Sequence, residues 1–155
     1  MPQQAAVNLV KRLMVRRPSS SPELAKSDYE ALGAFRRALR HFMRFSEQGS
    51  RAVGLTPQQH QLLLAIKSQP GKDYASLKEI ADFMQLKHQT VVGLTDRCET
   101  AGLVRREAST VDKRRVNVHL LPRGEELLAK LSQRNMDELR ALRKFLKPAF
   151  LEKNP

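Results

Sequence analysis

Two short amphipathic helical patterns lie next to each other between Ser76 and Gly102. The first begins with Ser76 and has Glu79 three residues later, a capping box that satisfies two unpaired backbone donors at a helix start. Only residues 85–87 separate its apolar stripe from the second pattern, which ends at Gly102. Two short helices joined by so tight a turn predict a helix-turn-helix.

A β-hairpin is predicted directly after this unit. Residues 103–107 and 115–120 suit two strands, and the second alternates apolar and polar side chains. Residues 108–114 would form the charged loop between them. Helices combined with a single hairpin predict a mainly α fold with a small β-hairpin wing.

Longer helical patterns flank the helix-turn-helix and the hairpin. One starts at Ser27. The next has Thr56 as its N-cap and Pro57 at the first helical position, where a missing N–H costs nothing. Residues 70–75 after it are expected to form a loop. Pro122 opens the last helix, whose apolar residues extend almost to the C-terminus.

The charge of the chain points to an anionic partner. Lys and Arg total 28 against 16 Asp and Glu, a net charge of +12, which favours nucleic acid above other partners. The one cysteine cannot form an intramolecular disulfide, and no apolar run is long enough to cross a bilayer. We therefore expect a cytosolic protein. Residues 1–27 are predicted to form a basic arm and a linker rather than a targeting segment.

The second short helix, from about residue 88, is the candidate recognition helix. On the side opposite its apolar stripe, Gln89 can bond an adenine edge and Val92 can contact a thymine methyl. The Thr90 hydroxyl and the helix N-terminus can hold a phosphate. Asp96 also faces outward, but it would repel phosphate and is expected beyond the groove. An ordinary solvated helix face is the alternative. The predicted DNA contacts here are Lys87, His88, Gln89, Thr90, Val92 and Gly93.

The hairpin is strongly basic. An arginine at a loop tip can enter a narrow minor groove, and a nearby carboxylate can fix its direction. Solvated charge is the usual explanation of such a cluster, but this one directly follows a candidate recognition helix. We therefore predict DNA contacts, or their support, from Arg105, Arg106, Asp112, Lys113, Arg114 and Arg115.

The sequence resembles the MarR (multiple antibiotic resistance regulator) family of winged helix-turn-helix transcription factors over about residues 28–150. The resemblance implies an obligate homodimer whose first and last helices intertwine, with recognition helices in successive major grooves and wings in the minor groove. Arg114 matches the wing arginine of the family, and Asp112 matches its acidic partner. The residues that carry the resemblance are Leu86-Lys87-His88-Gln89-Thr90-Val91, Asp96-Arg97, Glu99, Ala101-Gly102-Leu103-Val104 and Asp112-Lys113-Arg114-Arg115.

The domain organisation follows from this resemblance. Residues 28–155 would form one MarR-like domain, in which 55–121 bind DNA while 28–54 and 122–155 dimerise. The long terminal helices of so small a chain would leave an apolar seam exposed unless a second subunit covered it. The residues predicted to dimerise are Leu32, Phe35, Met136, Leu139, Leu142, Leu146 and Phe150.

Other kinds of site have little support in the sequence. The four histidines lie on four different elements without metal-ligand spacing, and no phosphate-binding glycine loop or paired carboxylates occur, so no metal, cofactor or catalysis is expected. Cys98 is predicted to be a small core residue rather than a peroxide sensor. The resemblance allows an effector pocket at His41, Phe45 and His60 for a small aromatic or phenolic molecule.

These observations predict a transcriptional regulator rather than an enzyme. A homodimer in the bacterial cytosol, associated with the nucleoid when bound, would recognise a pseudo-palindromic operator with half-sites roughly 34 to 36 Å apart. Repression relieved by a small effector is expected more than activation. The alternatives are a non-specific nucleoid-binding protein, a winged-helix protein-interaction module and, last, an enzyme.

Overall fold

The computed structural model describes residues 23–146, excluding the side chain of Leu146. The predicted class, mainly α with a small antiparallel sheet, is confirmed. None of the helices in the described residues is both long and apolar enough to cross a membrane. In chain order the elements are α1 (Lys26–Ala52), α2 (Pro57–Lys67), β1 (Tyr74–Ser76), α3 (Leu77–Met84), α4 (His88–Thr100), β2 (Val104–Ala108), β3 (Val116–Leu120) and α5 (Pro122–Leu146).

The predicted helix starts and stops in the centre of the chain are confirmed. The Thr56 hydroxyl accepts a hydrogen bond from the Gln59 amide, and the Ser76 hydroxyl accepts one from the Glu79 amide. The helix α4 ends at Thr100, and Gly102 just after it has a φ of 68°, a left-handed conformation that suits glycine. Local capping chemistry therefore sets these boundaries.

The sheet has one strand more than the sequence predicted. Strands β2 and β3 pair antiparallel as the expected hairpin, but β1 adds to the other edge of β3, with Tyr74 opposite His119. The prediction that residues 70–75 form only a loop was therefore wrong. Three residues are too few to show the alternation that marks a strand, so only pairing with β3 reveals β1.

The core lies between α2, α3, α4, the sheet and the first half of α5. The predicted inward stripe of α4 is confirmed, and Cys98 is a buried core residue. Gly124 in α5 packs so closely on the preceding chain that a Cβ atom there would overlap with the Leu103 carbonyl oxygen. The fully buried large apolar side chains are Leu62, Leu63, Ile66, Ile80, Leu94, Leu103, Leu131, Val91, Val104 and Val118.

The two long helices α1 and α5 pack against each other. Small residues allow the close approach, since Ser46, Gly49 and Ser50 are buried on α1. The Asn135 side-chain amide donates to the Ser46 hydroxyl at 3.0 Å, and the Arg134 guanidinium lies 3.9 Å from the centre of the Phe45 ring. Large apolar side chains of this pair that stay exposed are Leu32, Leu39, Met43, Met136 and Phe145.

The residues predicted to dimerise are distributed unevenly over this pair of helices. Leu32 and Met136 are exposed, while Phe35, Leu139 and Leu142 are half-buried. Leu146 is the last residue of α5. Phe150 lies outside the described residues.

Candidate nucleic-acid interface

The start of α4 is exposed, as a recognition helix requires. Gln85 in the preceding turn has a φ of 54°, and this left-handed residue redirects the chain between α3 and α4. His88, Gln89 and Thr90 form an exposed first turn. The side chain of Lys87 makes no cap hydrogen bond at this helix start. The first backbone N–H groups of α4 therefore keep their capacity to bind an anion.

Asp112 organises the tip of the wing, though not in the predicted way. Its carboxylate accepts a hydrogen bond from the backbone amide of Arg114 at 3.0 Å, whereas its nearest guanidinium belongs to Arg115, with Nε 3.7 Å from Oδ2. The Arg115 amide also donates to the Asp112 carbonyl at 2.9 Å. Asp112 thus shapes the turn through the backbone and leaves the Arg114 side chain exposed.

An open groove joins the wing to the helix-turn-helix. It has a volume of about 570 Å³, and the predicted residues His88, Arg114 and Arg115 all line it. Lys78 on α3 lines the same groove and was not predicted. Its exposed position on α3, on the side away from the buried Ile80, is the signal that would have identified it.

The groove is mixed in charge. Glu79 and Asp82 contribute carboxylates to it. The Lys72 ammonium lies 2.7 Å from the Glu79 carboxylate. Burial alone would raise the pKa of Glu79, but the hydrogen bonds from Lys72 and Ser76 outweigh it and lower that pKa. Within residues 23–146 no carboxylate pairs with Lys78 or Arg114, so these cations are available to a bound anion.

Two predicted contact residues lie apart from the wing tip. Neighbouring strand residues point to opposite faces of a sheet, so Arg105 and Arg106 diverge. The Arg105 guanidinium is 2.8 Å from the Glu107 carboxylate, and this pairing lowers the pKa of Glu107. Arg106 instead bonds the recognition helix, with Nη2 2.7 Å from the Asp96 carboxylate. The expected single basic cluster therefore consists only of the residues at the wing tip.

The three residues suggested for an effector pocket do not line one cavity. His41 lines a groove of about 270 Å³ between α1 and α5, and its Nε2 is 2.8 Å from Glu138 Oε1. His60 is buried elsewhere, with its Nδ1 3.1 Å from the Ser50 hydroxyl, and burial lowers its pKa. The Phe45 ring lies under the Arg134 guanidinium. Only His41 of the three borders this groove.

Known proteins resemble this chain in sequence and in fold. Residues 53–115, from directly after α1 to the wing tip, match the MarR family. The transcriptional regulator HosA of Escherichia coli O157:H7 is 39% identical over 75 residues, which cover 48% of this chain and 53% of HosA. The chain spans about half the length of the curated relatives that it matches.

Solved structures share the fold over most of the chain. AbsC, a MarR family transcriptional regulator from Streptomyces coelicolor, has a TM-score of 0.66 at 22% identity, covering 85% of this chain and 89% of AbsC. A mutant of Staphylococcus aureus MepR bound to an oligodeoxyribonucleotide has a TM-score of 0.60 at 22% identity, covering 80% of this chain and 88% of MepR. The chain therefore matches the MarR family over residues 53–115 and shares the fold of these MarR-type structures over most of its length.

Proposed function

We propose that this protein is a sequence-specific, double-stranded DNA-binding transcriptional regulator that acts as a homodimer. One observation carries the proposal: the exposed first turn of α4 and the unpaired arginine at the wing tip border the same open groove. A duplex lying along this side would meet the helix in its major groove and the wing in its minor groove.

The roles of the individual residues follow from this placement. Gln89 is exposed and Val92 is half-buried on α4, and both would contact base edges, while Thr90 and the helix N-terminus would hold a phosphate. Arg114 would enter the minor groove, where negative potential is strongest. Lys78 and Lys113 are exposed beside these elements and would contact the phosphate backbone.

Dimerisation is proposed from the apolar surface on α1 and α5. Leu32 and Met136 are close to half exposed, at 47% and 49%, and a single chain rarely leaves several large apolar side chains exposed on one pair of helices. A second copy covering this surface would hold two recognition helices in a two-fold arrangement. The operator would then contain two half-sites roughly 34 to 36 Å apart.

Repression relieved by a small molecule is the regulation that we propose. The groove between α1 and α5 has His41 at its edge and Phe145 in its lining, a combination that suits a small aromatic or phenolic effector. An effector that fits one arrangement of α1 and α5 better than another would change the distance between recognition helices. The protein would act in the cytoplasm as a binding protein and not as an enzyme.

Selection of binding sites from a random duplex library tests the proposed function. We expect the full chain to enrich a two-fold motif and to bind it at least about 1,000-fold more tightly than a scrambled duplex at physiological salt. Similar, steeply salt-dependent binding to every duplex would instead indicate a nucleoid-type protein. No binding to any duplex would favour a protein-interaction module.

Two charge-matched variants locate the interface. Arg114→Ala should weaken binding to the selected duplex and reduce the slope of log K against log salt by about 1, because one phosphate or groove contact is lost. Lys130→Ala removes one positive charge from an exposed position on α5 outside the groove and should leave both quantities unchanged. Equal behaviour of the two variants would remove the wing from the interface.

A further inference from the structure

Arg106 forms several hydrogen bonds and ion pairs with the recognition helix α4. Its Nη2 lies 2.7 Å from Asp96 Oδ1 and donates to the Val92 carbonyl at 3.1 Å, and its Nη1 donates to Glu99 Oε2 at 2.8 Å. Its backbone amide donates to the other Glu99 oxygen at 2.9 Å. One strand residue thus joins β2 to α4 through both its side chain and its backbone.

The groups bound by Arg106 form a single stripe on α4. Val92, Asp96 and Glu99 are spaced by four and three residues, so they lie one above another along the helix. A planar guanidinium that bonds several groups of this stripe restricts rotation of the helix about its axis. The stripe includes Val92, one of the residues expected to face a base, so this restriction sets the direction of the reading surface.

The same bonds change the charge of the recognition helix. Asp96 and Glu99 are the only carboxylates on α4, and their side chains are 60% and 40% exposed. Unpaired, they would repel the phosphates of a bound duplex. The Arg106 guanidinium contacts both, and only 24% of its own side chain is exposed. Arg106 is therefore placed to offset the negative charge of the α4 carboxylates rather than to contact DNA.

We propose that Arg106 is a positioning residue, which orients the recognition helix against the wing and offsets its two carboxylates without contacting DNA. The inference rests on the proposed DNA-binding function and replaces the sequence-based prediction that Arg106 itself contacts DNA. Arg114 provides the contrast within the wing, since its side chain is exposed at the loop tip and Asp112 bonds only its backbone.

Salt dependence distinguishes positioning from contact. With the duplex that the wild-type protein selects, Arg106→Gln should weaken binding by roughly tenfold while the slope of log K against log salt stays at the wild-type value. Loss of a phosphate contact would instead lower that slope by about 1. Far-UV circular dichroism and the Tm establish that the variant is folded. A lower slope, or wild-type affinity, would overturn the proposal.

Arg106→Lys provides a second test that does not depend on Arg106→Gln being folded. A lysine keeps the charge and satisfies a phosphate contact, but its single ammonium cannot bond Asp96, Glu99 and the Val92 carbonyl in the same planar arrangement. We expect Arg106→Lys to bind the selected duplex more weakly than wild type at an unchanged slope. Full affinity for the lysine variant would overturn the proposal.

Removal of the carboxylate completes the test. In the Arg106→Gln background, Asp96→Asn should recover part of the lost affinity, because the uncompensated charge facing the phosphates is gone. In the wild-type background the same change removes a partner of Arg106 and should not improve binding. Additive effects would contradict the coupling. If wild-type protein selects no duplex, the proposed function itself fails and the positioning role fails with it; the other outcomes concern Arg106 alone.

Discussion

The centre of the molecule and its two long helices bury their apolar residues to very different extents. In the centre, residues 57–120, the large side chains Leu62, Leu63 and Ile66 are completely buried. On α1 and α5, Met43 and Met136 are each 49% exposed. The centre, together with Leu128 and Leu131 of α5, therefore forms a closed core, whereas the long helices keep an apolar surface that nothing within residues 23–146 covers. In the proposed function, this difference separates the part of the protein that reads DNA from the part that pairs two copies.

The largest effect is expected from opening the central core. Leu94→Ala removes a buried side chain of α4 and should lower the free energy of unfolding by about 2 to 5 kcal/mol. Val111→Ala is the matched control, since Val111 is 96% exposed on the wing, and should change stability by no more than about 0.5 kcal/mol. Urea unfolding followed by circular dichroism measures both. Similar values for the two variants would show that the centre lacks a closed core.

Substitutions in the apolar surface of α1 are expected to lower the stability of the fold less than the core substitution does. They should weaken dimer formation strongly. Replacing both Leu39 and Met43 by Asn removes four apolar side chains from a two-fold interface. At about 1 kcal/mol for each, the dissociation constant should rise on the order of 1,000-fold. Sedimentation velocity over a dilution series measures it. Gln48→Ala, an exposed polar position on another side of α1, is the control. A dissociation constant unchanged by the double substitution would place the dimer contact elsewhere.

The stability of the protein is expected to depend on pH through a buried histidine at the contact between the two regions. The buried imidazole of His60 on α2 bonds the Ser50 hydroxyl of α1, which in turn donates to the Ser46 carbonyl. Burial lowers the pKa of His60, so the unfolded chain binds the proton more strongly. Stability contributed by neutral His60 is therefore present above about pH 6.5 and is lost as the pH falls below that value.

Urea midpoints measured from about pH 8 to pH 5 check this sign. Wild-type protein should lose stability more steeply below pH 6.5 than the His60→Gln variant, in which this group no longer titrates. Parallel curves for the two proteins would mean that His60 is solvated and does not link the regions.

The smallest effect is expected at Cys98. Burial raises the pKa of its thiol to about 11. We therefore expect no reaction with iodoacetamide in the folded protein at about pH 8 and complete labelling in urea. Rapid labelling of the folded protein would show that α4 separates from the core, which would also weaken the contrast between the two regions.

The parts of the fold that depend on local chemistry could be predicted from the sequence. The caps at Thr56 and Ser76 and the stop at Gly102 are decided by neighbouring residues, and all three are confirmed. Strand β1 could not be predicted, because only its pairing with β3 stabilises so short a segment. The position of His60 likewise depends on how α2 packs on α1, which no local pattern reveals.

The candidate site shows the same limit. The exposed start of α4 follows from its helical period, and the structure brings it together with the wing tip as expected. The bonds of Arg106 to α4 connect residues between seven and fourteen positions apart in the chain and depend on the packing of β2 against the helix. The basic composition of the hairpin suggested that Arg106 contacts DNA. The alternation of side chains along β2 already implied that Arg105 and Arg106 point to opposite faces of the sheet.

The dependence of affinity on half-site spacing tests most directly whether the centre reads DNA while the long helices pair two copies. With the selected two-fold duplex, inserting about five base pairs turns one half-site to the opposite face of the helix, and about ten restores the face at a longer distance. We predict that the five-pair insertion reduces affinity to that of a single half-site and that Arg114→Ala has the same effect on each half-site. Affinity that is independent of spacing would mean that each protomer binds alone, which would contradict the account.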